Sequence, residues 1–136
     1  MLSVIVHWLY RHWAIENPVQ VLKDCIEKKE WFKGIVLSTA FFEGLGIAIL
    51  KDQFRDKIAP KNFDRMRSVQ QIIILLFASG LIRQHTYSKM LEVNEFRNNL
   101  VHFPFGAPQQ PLKAKEAQRI IRKAISCLKI LGKQFL

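Results

Sequence analysis

The stretch LEVNEFRNNLVHFPF, residues 91 to 105, carries the side chains best suited to chemistry. Val93, Phe96 and Leu100 recur at i, i+3 and i+7, the spacing of a helix face turned toward a core. That leaves Asn94, Arg97, Asn98, Asn99 and His102 as a polar set. At about 100° per residue, Asn98 and His102 share a face, Asn94 lies one turn before Asn98, and Arg97 sits at the edge of that face. A guanidinium, an amide and an imidazole thus converge in the last turns of one helix. The imidazole titrates near neutrality and can take or give a proton. The guanidinium matches a phosphate and the charge that develops on it in a transition state. The amide can orient either partner. A plainer reading also fits the spacing: a helix end whose histidine acts as a cap.

Glu43 is the only charge between Ile35 and Leu50. A buried carboxylate without a partner is costly or takes up a proton. Arg97 is its natural partner, from the same subunit or from a second copy. In one reading the pair is a salt bridge that positions Arg97. In the other Glu43 acts directly, which its repulsion of a phosphate disfavours. Ser38 and Thr39, about one turn earlier, can join this network, although small hydroxyls in helices commonly bond their own backbone.

The overall charge agrees with an anionic partner. Among 136 residues, 21 Lys and Arg face 11 Asp and Glu, a formal charge of +10. RNA, DNA, a nucleotide, an acidic protein or a membrane surface all attract such a chain. Two stretches concentrate the charge: the loop RDKIAPKNFDR, residues 55 to 65, with Lys57 and Lys61, and the last helix. There Lys115, Arg119, Arg122, Lys129 and Lys133 recur opposite an apolar stripe. That side is either a solvated face or a track for phosphates. On the second reading, Lys115, Arg119, Arg122, Lys57 and Lys61 are the candidate RNA contacts.

Other chemistry finds little support. Cys25 and Cys127 sit at apolar helical positions with no CxxC or Cys/His cluster, so reduced core thiols are expected and no metal site is. No phosphate loop or dinucleotide fingerprint occurs, and no cofactor is expected. FFEGLG lies inside a helix, where Gly44 and Gly46 would let helices approach closely across a dimer interface.

These residues need elements to position them. Hydrophobic residues make up 49% of the chain, enough for one packed domain over residues 1–136. Strand-like alternation is missing and helical periods dominate. Helices are expected over about 2–14, from Asn17-Pro18 to about Lys29, then Trp31 to Phe54, Ser68 to Ser79, Thr86 to His102 and Leu112 to Gln134. The run from Ile72 to Phe77 alone also fits a buried strand, but its helical neighbours favour helix. The helix over 31–54 is apolar almost all round, so it is central or covered by a second subunit. The expected fold is all-α, an up-and-down bundle of about four to five main helices. The N-terminus lacks the marks of a signal peptide, and no apolar run reaches the length of about 20 residues that spans a bilayer. A cytoplasmic protein without a membrane partner is the expectation.

The run R-N-N-L-V-H, Arg97 to His102, resembles the Arg, Asn, spacer, His signature of HEPN domains. In that family the motif closes a long helix of an all-α bundle and a further helix follows, as expected here over roughly residues 18 to 134. The resemblance implies an antiparallel homodimer whose two motif helices meet. It implies a metal-independent endoribonuclease in which a ribose 2′-OH attacks the adjacent phosphate, leaving 2′,3′-cyclic phosphate and 5′-OH ends. Carried onto this chain, His102 is the acid/base, Arg97 holds the scissile phosphate and Asn98 orients one of them, with Glu43 and Asn94 in support. DNA, lacking the 2′-OH, is not cut by this route. The family also contains non-catalytic RNA- or nucleotide-binding members that work with a partner such as a nucleotidyltransferase. Some toxins of the family carry a modifiable tyrosine two positions after the histidine. Pro104 stands there in this chain, which argues against that mode of control.

Overall fold

The computed structural model describes residues 17–54, 68–101 and 112–135. The first helix, α1 (Asn17–Glu27), starts at an Asn-Pro pair, where proline's missing N–H costs no helical bond. It buries Val19, Leu22 and Cys25 along one stripe. It ends in a reversal centred on Lys29 (φ 57°), where Glu30 N–H donates to the Cys25 carbonyl at 2.8 Å and Lys29 N–H to that of Ile26 at 3.1 Å. Glycine is usual at such a left-handed C-cap. The reversal leads directly into α2.

Helix α2 (Trp31–Phe54) is the axle of the fold: it packs against α1 and against the three later helices. That position explains its sequence. Ile35, Phe42, Leu45, Ile49 and Leu50 are buried on several sides, because neighbours surround it. Of the two expectations for this helix, the central one describes it within a single chain. By length and composition alone α2 could also cross a membrane; half of its most apolar window is buried inside the bundle.

Close packing around α2 rests on Gly46. A Cβ built there would lie 2.5 Å from Cγ2 of Ile72, a fully buried residue of α3. The approach that Gly46 permits is therefore to a helix of its own chain, a correction to the dimer-interface role expected from sequence. Gly44 faces open space. Gly46→Ala gains up to about 1 kcal/mol of helix propensity but overpacks the contact by about 1–3 kcal/mol. A net loss of stability in urea denaturation is expected, and a smaller loss in an Ile72→Ala background. Stabilisation by Gly46→Ala in the wild-type background would contradict this packing.

Helix α3 (Val69–Ala78) buries Ile72, Ile73 and Leu76 while Ile74 and Phe77 are exposed, a three-four period and not a strand's alternation. Gly80 (φ 75°) caps it, with Leu81 N–H donating to the Leu76 carbonyl at 2.9 Å. Helix α4 (Gln84–Val101) begins two residues before the expected start. Tyr87 on α4 stacks on Phe77 of α3, with ring centroids 4.2 Å apart. Helix α5 (Ala114–Phe135) lays Ala117, Ile120, Ile121, Ala124, Cys127, Leu128 and Leu131 against the core.

The fold is the expected all-α bundle, and the described residues contain five helices and no strand. The expected helix over 2–14 lies outside the described residues. Both cysteines are free and buried. Burial pushes the Cys127 thiol up to about 12 and also raises that of Cys25. Neither is a ready nucleophile, in keeping with core thiols.

Candidate functional site

The last turns of α4 hold the motif residues. Thr86, Met90, Val93 and Asn94 are buried on this helix, a face spaced at three and four. One further turn along that face brings Arg97. It is half-buried and its Nε is fully enclosed without a hydrogen-bond partner. One terminal nitrogen donates to Asn98 Oδ1 at 3.0 Å. Asn98 itself is half-buried. His102 lies outside the described residues.

Val93 is buried, and Phe96 and Leu100 pack half-buried against the core, the side expected from sequence. Asn94, expected on the polar side, is buried with them, so the packed face is wider than expected. The face of α4 that packs is set by its neighbours, and it includes polar Thr86 and Asn94, which a count of apolar residues passes over. Arg97, half-buried, lies at the border between this packed face and the open side of α4. The pairing of Arg97 with Asn98 agrees with an amide that orients the guanidinium.

Glu43 is half-buried, with its carboxylate able to reach water, so the burial cost expected from sequence is relieved. Among the described residues it makes no ion pair, with Arg97 or any other. The Ser38 hydroxyl donates to the Gly34 carbonyl at 2.7 Å and Thr39 to that of Val36 at 3.0 Å. Both hydroxyls serve their own helix and leave Glu43 unsupported from that side.

The basic side of α5 forms a second feature. Lys115, Arg119, Arg122 and Lys123 join Lys89 of α4 around a surface groove of about 480 Å³, with Gln118 and Ser126 between them. A neighbouring cleft of about 580 Å³ shares Lys89 and Lys123 and adds Gln84, His85, Ser88 and Glu92. Glu92 ties the two helices: its carboxylate accepts from Arg119 at 2.8 Å and from Lys123. Among the described residues, Lys89, Lys115 and Arg122 have no ion-pair partner. The sequence expectation named three of these five cations. Lys89 was missed because only the packing of α4 on α5 brings it beside the stripe, whereas Lys123, one turn after Arg119, was within reach of the helical period. Lys57 and Lys61 lie outside the described residues. At about 100° per residue, Arg97 lies about 140° around α4 from Glu92, so the motif and the groove are on different faces.

Hydrogen bonds from Lys123 and Arg119 hold the Glu92 carboxyl below its ordinary value of 4.5. A carboxyl depressed in the folded state adds stability above its unfolded pKa and loses it as pH falls through the folded value. The exposed setting of the pair keeps this term small. Glu92→Gln should therefore narrow the gap in melting temperature between pH 7 and pH 3. An unchanged gap would mean that the carboxylate adds nothing to the α4–α5 contact.

Comparison with protein-family models, with curated proteins and with solved structures finds no match to this chain.

Proposed function

We propose that the protein is a metal-independent endoribonuclease of HEPN type, acting in the cytoplasm as a homodimer with a composite site. The observation that carries this reading is Arg97, half-buried near the end of α4 and held through one terminal nitrogen by Asn98, five residues before His102. A guanidinium oriented by a neighbouring amide suits a phosphate oxygen.

In the proposed reaction His102 takes the proton from a ribose 2′-OH. The 2′-oxygen forms a bond to the adjacent phosphorus and the bond from phosphorus to the 5′-oxygen breaks. The departing 5′-oxygen takes a proton from water, and the hydroxide left behind is neutralised by the proton that His102 gives up, so each site uses one imidazole. Arg97 binds the non-bridging oxygens, where negative charge is greatest in the transition state. A second copy completes the site: Arg97 of one chain faces His102 of the other, and Glu43, without an ion pair among the described residues, would meet Arg97 across that interface. Incubation of the purified protein with single-stranded and structured RNA in excess EDTA tests this reading. Products should carry 2′,3′-cyclic phosphate and 5′-OH ends, and DNA of the same sequence should stay intact. Products with 3′-OH ends, or cutting of DNA, would refute the chemistry.

A second reading is a non-catalytic RNA-binding module that works with a protein partner such as a nucleotidyltransferase. The enclosed Nε of Arg97 favours it, because a nitrogen shut from solvent is not open to a phosphate. It predicts retention of RNA with no cleavage.

A further inference from the structure

We infer that the α4–α5 groove is a docking site for the phosphodiester backbone of a single nucleic-acid strand, and that Glu92 limits its affinity by occupying two of its five cations. The proposal shares with the ribonuclease reading a nucleic-acid ligand, but it needs neither Arg97 nor cleavage.

The geometry favours a backbone over other anions. Residues 115 to 123 span about 12 Å of helix axis, longer than one phosphate group, so neighbouring phosphates of one strand can meet different cations. A single small anion would use one or two of the cations, whereas a chain of phosphates uses the row. The seven side chains around the groove are all polar or charged. A membrane-docking face needs apolar side chains beside its cations, and the large exposed apolar residues Phe32, Ile74, Phe77 and Val101 do not line the groove.

Glu92 gives the groove its distinctive property. Its carboxylate already neutralises Arg119 and Lys123, leaving Lys89, Lys115 and Arg122 for the ligand. A phosphate entering beside Glu92 meets a like charge or must displace it. The carboxylate thus fixes two cations in place and weakens the site at the same time. Backbone contacts of this kind position a strand without reading its sequence, so the groove holds RNA while a separate face of α4 presents the motif.

The test uses a fluorescein-labelled 2′-O-methyl RNA 12-mer, which cannot be cut by 2′-OH attack, followed by anisotropy in rising KCl. DNA of the same sequence should bind within a few-fold. Lys115→Ala/Arg122→Ala removes two exposed cations without touching the core. It should weaken binding about tenfold and flatten the salt slope by about 1.4, two contacts on a single strand. Glu92→Gln should tighten binding about fivefold, the effect of removing one negative charge close to solvated phosphates. Binding that is unaffected by Lys115→Ala/Arg122→Ala would overturn the docking site, as would binding to phosphatidylserine vesicles or an acidic peptide but to neither oligonucleotide. Unchanged or weaker binding by Glu92→Gln at unchanged melting temperature would overturn its limiting role. Binding of this probe together with no cleavage of unmodified RNA of the same sequence would count against the ribonuclease reading alone.

Discussion

Arg97→Ala is expected to lower RNA cleavage by about 10²–10³-fold, the usual effect of removing one donor from a transition-state charge. The loss should fall on kcat and leave KM within a few-fold, because most of the binding comes from cations elsewhere on the surface. Arg97→Lys should recover little. An ammonium cannot reproduce the planar fork that bonds Asn98 with one terminal nitrogen while turning the other toward a phosphate. The fold should tolerate both changes. Among the described residues Arg97 hydrogen-bonds only Asn98, so truncation breaks that one bond and removes a half-buried stem. A melting temperature near that of the wild type, with cleavage gone, is the expected pair of results. Undiminished cleavage by Arg97→Ala would remove the guanidinium from the chemistry. Collapse of the fold would show that Arg97 is first of all a packing residue.

The largest effect on stability is expected at Phe42. Its side chain is fully buried on α2, the helix that meets all the others. Truncation to alanine removes the ring's burial and leaves a cavity that fixed neighbours cannot close, at a cost of about 3–5 kcal/mol. Domains of this size are stable by about 5–15 kcal/mol, so Phe42→Ala should shift the urea midpoint strongly or leave the chain partly unfolded. Phe42→Leu, which keeps much of the volume, should cost far less. A loss below about 1 kcal/mol for Phe42→Ala would contradict the placement of α2 at the centre.

How much of this was legible in the sequence differs from helix to helix. Helix α5 could be read almost residue by residue, since a clean apolar stripe and a basic opposite face leave one way to pack. Helix α2 was readable as central because it is apolar on every side. Helix α4 was the difficult one. Its buried face mixes Thr86 and Asn94 with Met90 and Val93, so the period of its apolar residues finds the core side but leaves out Asn94. The groove was half legible. The α5 cations share one helix and one period, whereas Lys89 and the Glu92 bridge depend on which helix packs beside α5 and in which direction. Tertiary pairing of that kind leaves no local trace in a single chain. The same holds for Glu43, whose isolation in an apolar run suggested a buried ion pair, while the folded chain leaves it half-buried and unpaired among the described residues.

The central claim is that one ribonuclease site takes its arginine and its histidine from two chains, and mixing inactive variants tests it most directly. Arg97→Ala and His102→Ala proteins, each inactive alone, would be combined under conditions that exchange subunits, with heterodimers confirmed by native mass spectrometry. A shared site predicts that the mixture regains cleavage of RNA in EDTA, because each heterodimer holds one intact Arg97 facing one intact His102. A mixture that forms heterodimers yet stays as inactive as its components would contradict the shared site.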